Sequence, residues 1–208
     1  MQLTSTSFVH GQLIPVEFAF AAPDKAAHLR LSNNRNPQLH WTGVPPGTRS
    51  LVLICFDPDV PSRPDDVNQE GRVVPASLPR TDFHHWTMVD IAPSVSEIAA
   101  GSCSDGIVAR GKQAPEGPPG SRQGINDYTG WFAGDIEMKG QYFGYDGPCP
   151  PWNDELLHHY HFVLYATDLA RCPVDGAFTG PQVAKAIEGH ILAEARLTGT
   201  YSLNPAVR

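Results

Sequence analysis

Three short stretches of the chain hold residue types that can do chemistry: FDPDVPSRPD at 56–65, DFHHWTMVDI at 82–91 and GYDGPCPPWNDELLHHYHF at 144–162. In the first, Asp57 and Asp59 flank Pro58. Proline fixes its own φ and biases the preceding residue towards extended geometry, so the two carboxylates keep a rigid relation. A solvated turn at a strand end would carry the same residue types. In the second, His84 and His85 are adjacent, and neighbouring side chains of a strand point to opposite faces, so only one of them can look into a given cavity. In the third, extended geometry puts His158, Tyr160, Phe162 and Leu164 on one face and His159, His161, Val163 and Tyr165 on the other. The first face passes from polar to apolar, as in a strand that runs from the mouth of a pocket into a core. Ahead of it Gly144, Gly147, Pro148, Pro150 and Pro151 make a turn of little side-chain bulk, where a ligand can approach main-chain groups closely.

The elements that must position these residues are mostly strands. Leu51–Phe56 (LVLICF) is a continuous apolar run, as expected of a strand buried on both faces. Trp86–Ile91, Tyr160–Ala166 and Ala195–Tyr201 are the other strand candidates. The proline- and charge-rich segment PDVPSRPDDVNQEGRVVPASLPRTD is expected to loop out rather than pair in a sheet. Two helices are expected. Ser94–Ala100 carries Ser94 and Glu97 at capping-box spacing and stops at Gly101. The longer helix begins near Thr179 with Gln182 three residues on, and Val183, Ile187, Ile191 and Ala195 form one apolar stripe. The long stretch 102–140 resists any periodic reading, and a loop of that length in a compact domain is functional or held by its own packing. The expectation is therefore a single domain over 1–208, mainly β, with long loops and one C-terminal helix.

Composition bounds the partners. With 15 Lys and Arg against 22 Asp and Glu, the formal charge of −7 disfavours nucleic acid and anionic lipid surfaces, which reward clustered cations. No segment approaches ~18 consecutive apolar residues, so no transmembrane span is expected. The N-terminus lacks the basic and apolar regions of a secretory signal. Cys55, Cys103, Cys149 and Cys172 form no CxxC pair, so free thiols in a reducing cytosol are expected, without cofactor or structural zinc.

Rival chemistries can be stated. Asp57, Asp59, His85 and His158 are acceptable zinc or manganese ligands, although no HExxH-type spacing exists. Ser62 with His85 as base would make a serine hydrolase, yet there is no GxSxG elbow. Cys149 beside His158 would make a thiol nucleophile, or a small turn residue sensitive to oxidation.

Taken together, DPDVPS, then HHW entering a strand, then GYDGPCPP followed by HHYHFVLYATD, resemble the phosphatidylethanolamine-binding protein family, also called Raf kinase inhibitor-like proteins. GPCPPWNDE with HHYHF and the ending AEARLTGTYS are similar to its bacterial YbhB/YbcL-type branch. The resemblance implies a large central antiparallel sheet with a smaller sheet beside it. It also implies a non-catalytic pocket for phosphate-, acetate- or phosphoethanolamine-like anions, that is, a small anion or a phospholipid headgroup. By motif the pocket residues are Asp57, Asp59, Pro61, His85, Gly147, Pro148, His158 and Tyr160, with Pro150 and Pro151 both candidates for the contacting proline. The expected mechanism has Asp57 orient a histidine without touching the anion, and a carboxylate neighbour favours imidazolium. His85 and His158 would then donate to the anion, together with the Tyr160 hydroxyl and a backbone N–H near Gly147. A regulatory alternative has the rim residues Arg63, Pro64, Trp152, Asn153 and Asp154 engage a kinase or protease, and a homodimer is left open.

Overall fold

The LVLICF run forms the middle of the molecule because its side chains are apolar on both faces, and only a central strand offers cover to both. The computed structural model describes residues 1–207. Its strands are β1 (Gln2–Thr4), β2 (Ala21–Asp24), β3 (His28–Leu31), β4 (Leu39–Thr42), β5 (Ser50–Pro61), β6 (Arg80–Ile91), β7 (Glu97–Ile98), β8 (Arg122–Gln123), β9 (His158–Thr167) and β10 (Ile191–Tyr201). Two short helices are present, α1 (Tyr128–Trp131) and α2 (Gly180–Ala186). The central antiparallel sheet has the order β10-β9-β5-β6-β8. A smaller sheet, β1-β4-β7, and the two-stranded hairpin β2-β3 complete the framework.

Two apolar clusters lie on opposite faces of the central sheet, as the alternation along β5 dictates. Leu51, Leu53 and Cys55 point to one face, where they join Trp86, Met88, Phe162 and Leu164 and meet Leu39, Trp41 and Ile98 from the small sheet. Val52 and Ile54 point to the other, where Phe178, Val183 and Ile187 cover them. The layers are therefore small sheet, central sheet, α2. No helix among the described residues is long and apolar enough to cross a membrane.

Three expectations are corrected. Ser94–Ala100 is not helical; it turns and forms β7. The carbonyls that a helix needs at 95 and 96 instead accept from Trp41, from its Nε1 at 2.9 Å (Val95) and its N at 2.9 Å (Ser96). The second helix starts where its cap predicts: Thr179 N donates to Gln182 Oε1 at 2.9 Å and Gln182 N donates back to Thr179 Oγ1 at 3.5 Å. It ends after two turns, however, because the chain reverses at Gly189 (φ +81), and Ile191 and Ala195 belong to β10. The apolar stripe ran across a turn. The proline-rich segment also pairs further than expected, with Val60 opposite Thr81 and Pro61 opposite Arg80, which leaves 62–79 as the true loop.

The ladder between β5 and β6 is irregular where the chemistry lies. Cys55 pairs with Trp86 and Phe56 with His84, so His85 is an extra residue on β6. Asp57 pairs with Phe83 and Val60 with Thr81, which puts one extra residue on β5 around Pro58. Bulges of this kind bend a strand and re-aim side chains, and Pro58, with no N–H to give, is tolerated where the ladder is already broken.

Trp41→Phe keeps most of the buried ring but removes the donor to Val95, leaving a buried carbonyl unpaired. A loss of about 2 kcal/mol is expected in urea unfolding. A variant as stable as the parent would show that this bond does not hold β7 in place.

Candidate functional site

His158 opens β9, Asp57 lies in β5 beside it, and Asp154 ends the turn that leads into β9. His158 is fully buried. Its Nδ1 lies 2.7 Å from Asp57 Oδ2, and its Nε2 lies 3.2 Å from Asp154 Oδ2. Carboxylates accept, so both nitrogens are donors and the ring is an imidazolium. Burial pulls His158 towards the neutral form, but the hydrogen bonds and charges of Asp154 and Asp57 outweigh it and raise its pKa to about 9. Arg80 closes the network with a fork onto Asp154, Nη1 to Oδ2 at 2.6 Å and Nη2 to Oδ1 at 3.0 Å. Two cations and two carboxylates thus alternate in a line. The other oxygen of Asp57, Oδ1, accepts from Asp59 N at 2.8 Å, the turn that its proline promotes.

His85 is held by a second buried network. Its Nδ1 lies 2.7 Å from the Asp146 carbonyl, so Nδ1 carries the proton and Nε2 is the nitrogen left for the cavity. The Asp146 carboxylate receives Lys112 Nζ at 2.8 Å, Asn34 Nδ2 at 2.6 Å and Asn126 Nδ2 at 2.7 Å. Lys112 also donates to the Tyr145 carbonyl. Burial lowers the pKa of Lys112 against the pull of Asp146. Burial likewise lowers that of His85, although Asp57 and the Asp146 carbonyl push the other way.

Between these networks opens a cavity of about 790 Å³. Asp57, Pro61, His85, Pro150, Pro151 and Tyr160 line it, together with Cys149 and the rings of Phe20, Phe83, Tyr128, Trp131 and Phe132. The Tyr160 phenol is held protonated, first by burial and then by the Asp57 charge. Among the described residues no lysine or arginine lines the cavity; its ionisable carboxyl and imidazole groups there are Asp57, Asp127 and His85.

Several sequence expectations change. Asp57 does orient a histidine, but the histidine is His158, which is walled off behind it and does not line the cavity; both its nitrogens are taken by carboxylates. Asp57 itself faces the cavity. The Gly147 N–H is not free for a ligand, because it donates to Asn34 Oδ1 at 2.8 Å. Glycine is needed there for space: a Cβ would stand 2.2 Å from the Phe18 carbonyl oxygen. The Pro148 carbonyl accepts from Phe20 N at 3.0 Å, so Gly147 and Pro148 shape the wall from behind and do not line it. Asp59 also lies outside, accepting from His159 N and lying 2.9 Å from its Nδ1. His85 was expected as an imidazolium, and burial favours its neutral form instead. The neighbours separate as alternation requires: His85 lines the cavity and His84 does not, its Nδ1 lying 3.2 Å from Asp127 Oδ2.

Among the proposed rim residues, Pro64 lines the cavity and Arg63 is exposed beside it. Asn153 and Asp154 are buried, Asn153 clamping the 66–72 loop through Asn68 N, the Asp66 carbonyl and the Arg72 carbonyl. Trp152 stacks on His28 with ring centroids 3.8 Å apart, which ties the β2-β3 hairpin to the GPCPPW turn. Ser62 is exposed, does not line the cavity and bonds to no histidine among the described residues. Burial pushes the Cys149 thiol up to about 12, which keeps it from acting as a thiolate near neutrality. Among the described residues no three His, Cys, Asp or Glu side chains converge as a metal-binding set.

The residues that sequence reasoning missed are the supports: Lys112, Asp146, Asn34, Asn126 and Arg80. Asp146 stands directly before Gly147 in the YDG of the third stretch, a visible signal. Lys112 sits in the stretch without periodicity, where nothing marks it.

A family model described as phosphatidylethanolamine-binding protein matches residues 4–202. The chain is 32% identical over 201 residues to a UPF0098 protein of Chlamydia muridarum, covering 97% of this chain and 98% of that one. A UPF0098 protein of Pyrococcus abyssi is 31% identical over 201 residues, 97% of this chain and 85% of the other. The crystal structure of Escherichia coli YbcL, described as a member of the mammalian PEBP family, superposes with a TM-score of 0.69 at 26% identity, with 97% of each chain covered.

A folded-state pKa of about 9 lies above the value near 6.5 of an unfolded histidine, so His158 contributes stability that is complete below pH 6.5 and lost as pH rises through about 9. Urea unfolding should show that decline. Nitrogen-15 shifts should report both ring nitrogens protonated at pH 7.5; a neutral ring there would show that the network is not charged.

Proposed function

The chain belongs to the phosphatidylethanolamine-binding protein family, and on that premise we propose that its cavity binds the phosphate group of a small phosphate ester of the phosphoethanolamine-headgroup type, without catalysing its turnover. The observation that carries this reading is the buried His85, anchored through Nδ1 to Asp146 and leaving Nε2 to the cavity beside Asp57 and Tyr160. With no lysine or arginine among the described residues of the lining, a fully deprotonated anion would meet a carboxylate and a lone pair, both repulsive. A phosphate that brings a proton is complementary instead. Its P–OH can donate to Asp57, or the proton can sit on His85 Nε2, while the Tyr160 hydroxyl donates to another phosphate oxygen. Binding is therefore coupled to one proton. An ammonium group on the ligand would also find a partner in the cavity's carboxylates.

Binding without chemistry accords with the fittings around the phosphate position. The thiol in reach is held protonated, and Ser62 lies outside. Charge-assisted bonds contribute roughly 1.5–3 kcal/mol each, and after association costs two or three of them leave a modest affinity for a headgroup alone.

Calorimetric titration with phosphoethanolamine between pH 5.5 and 8.5 should give an affinity that weakens as pH rises, because a phosphate monoester loses its second proton near ~6 and burial already disfavours the charged His85. Titration in buffers of unlike ionisation enthalpy should report uptake of about one proton at the upper end. His85→Ala should weaken binding at least tenfold, or about 1.4 kcal/mol. An unchanged affinity in that variant would reject His85 as the contact.

A further inference from the structure

We infer that two copies of this chain pair through the open edge of β10, antiparallel about a two-fold axis at Ala195, and so join their central sheets into one. β10 is the outer strand of its sheet, with β9 as its ladder partner on one side. Its other side is closed in part by the segment 9–14. Gly11 N donates to the Thr198 carbonyl at 2.8 Å, Thr200 N to the Gln12 carbonyl at 2.9 Å, and Ile14 N to the Thr200 carbonyl at 2.9 Å. The Thr198 N–H is stopped by His10 Nδ1 at 3.2 Å. Outward main-chain groups recur at every second residue of an antiparallel strand, so Glu194 and Arg196 turn their N–H and C=O the same way as Thr198. Among the described residues these groups of Glu194 and Arg196 have no hydrogen-bond partner. At the other end the ladder with β9 slips between Ile191 and Ala193, which makes Leu192 an extra residue. The open edge is therefore the window 193–197, bounded by a bulge and by a plug.

A bare strand edge invites another strand, and proteins ordinarily blunt it with charge. This edge carries two charges of opposite sign, both exposed and neither in an ion pair among the described residues. That pattern is self-complementary. With the axis at Ala195 the window falls on itself, and Glu194 stands opposite Arg196 of the second copy, twice by symmetry. Moving the axis by one residue either way sets Glu194 against Glu194 or Arg196 against Arg196, and like charges directly opposite are destabilising. The second of these registers also needs the Thr198 N–H, which is already taken. Alanine at the axis suits the close, non-hydrogen-bonded pair that forms there. Apolar groups flank the window. Val9, 69% exposed, lines a groove of about 450 Å³ with Leu3, Phe8, Ala195 and Leu197, and Leu192 is 44% exposed at the bulge. The second copy covers these flanks.

Sedimentation equilibrium of the full chain should show monomer and dimer exchanging between micromolar and millimolar concentration. Glu194→Arg or Arg196→Glu sets like charges opposite each other and should raise the dissociation constant by about tenfold. The double reversal restores opposite pairs and should recover the dimer, and an equal mixture of the two single variants should give a heterodimer. Both positions are exposed, and circular dichroism of each variant separates lost pairing from lost folding. Ala195→Cys should form a disulfide between copies on mild oxidation, because the Cα atoms at the axis stand within bridging distance. The parent, with its own four cysteines, should not. A monomer at every concentration, or a dimer indifferent to the single reversals, would overturn the inference. Single reversals that dissociate the dimer without rescue by the double would overturn the pairing about Ala195.

Discussion

An imidazolium ring shut between two carboxylates is the constraint on which this site depends. His158 joins Asp57 of β5 to Asp154 of the turn before β9, and Arg80 at the start of β6 completes the line. Four groups from four places in the chain neutralise one another within a few ångströms. Removing one member of such a set leaves an uncompensated buried charge, at a cost of about 3–5 kcal/mol. The network therefore acts as a clamp. It fixes the Asp57 carboxylate at the cavity, and it closes the proline-rich turn whose Cys149, Pro150 and Pro151 form another part of the wall.

A second, independent clamp serves His85, and the contrast between the two histidines is electrostatic. His158 has a carboxylate on each nitrogen and stays charged in a dry place. His85 has a backbone carbonyl on one nitrogen, a cavity on the other and its formal charges further off, so desolvation wins. The same side chain is made a cation at neutral pH in one position and left largely neutral in the other. On the binding mode proposed above, that division lets the cavity floor accept or give up a proton as its guest requires.

Much of this architecture could be read from the chain. The two-faced apolar run of β5, the alternation His158, Tyr160, Phe162 and Leu164 on β9, and the capping box at Thr179 are local patterns with local causes, and the structure follows them. The failures share a different origin. Ser94 and Glu97 satisfy a helix cap, yet Trp41, some fifty residues away, claims the carbonyls. Ile191 and Ala195 continue a helical stripe only if Gly189 does not turn. The roles of His158 and Gly147 depend on Asp154, Arg80 and Asn34, partners that no spacing in a motif reveals. Motifs indicated which residues gather, but not which of them would face outward to a guest and which inward to one another.

His85 is a supernumerary residue, with no counterpart on the neighbouring strand. Take it out, and the ladder between Cys55–Trp86 and Phe56–His84 would run in regular step. The sheet would gain order, and the imidazole at the cavity floor would be gone. On the binding mode proposed above, the capacity to bind is stored in one of the irregularities of this ladder, and the loss of that single residue would take the imidazole from the cavity floor.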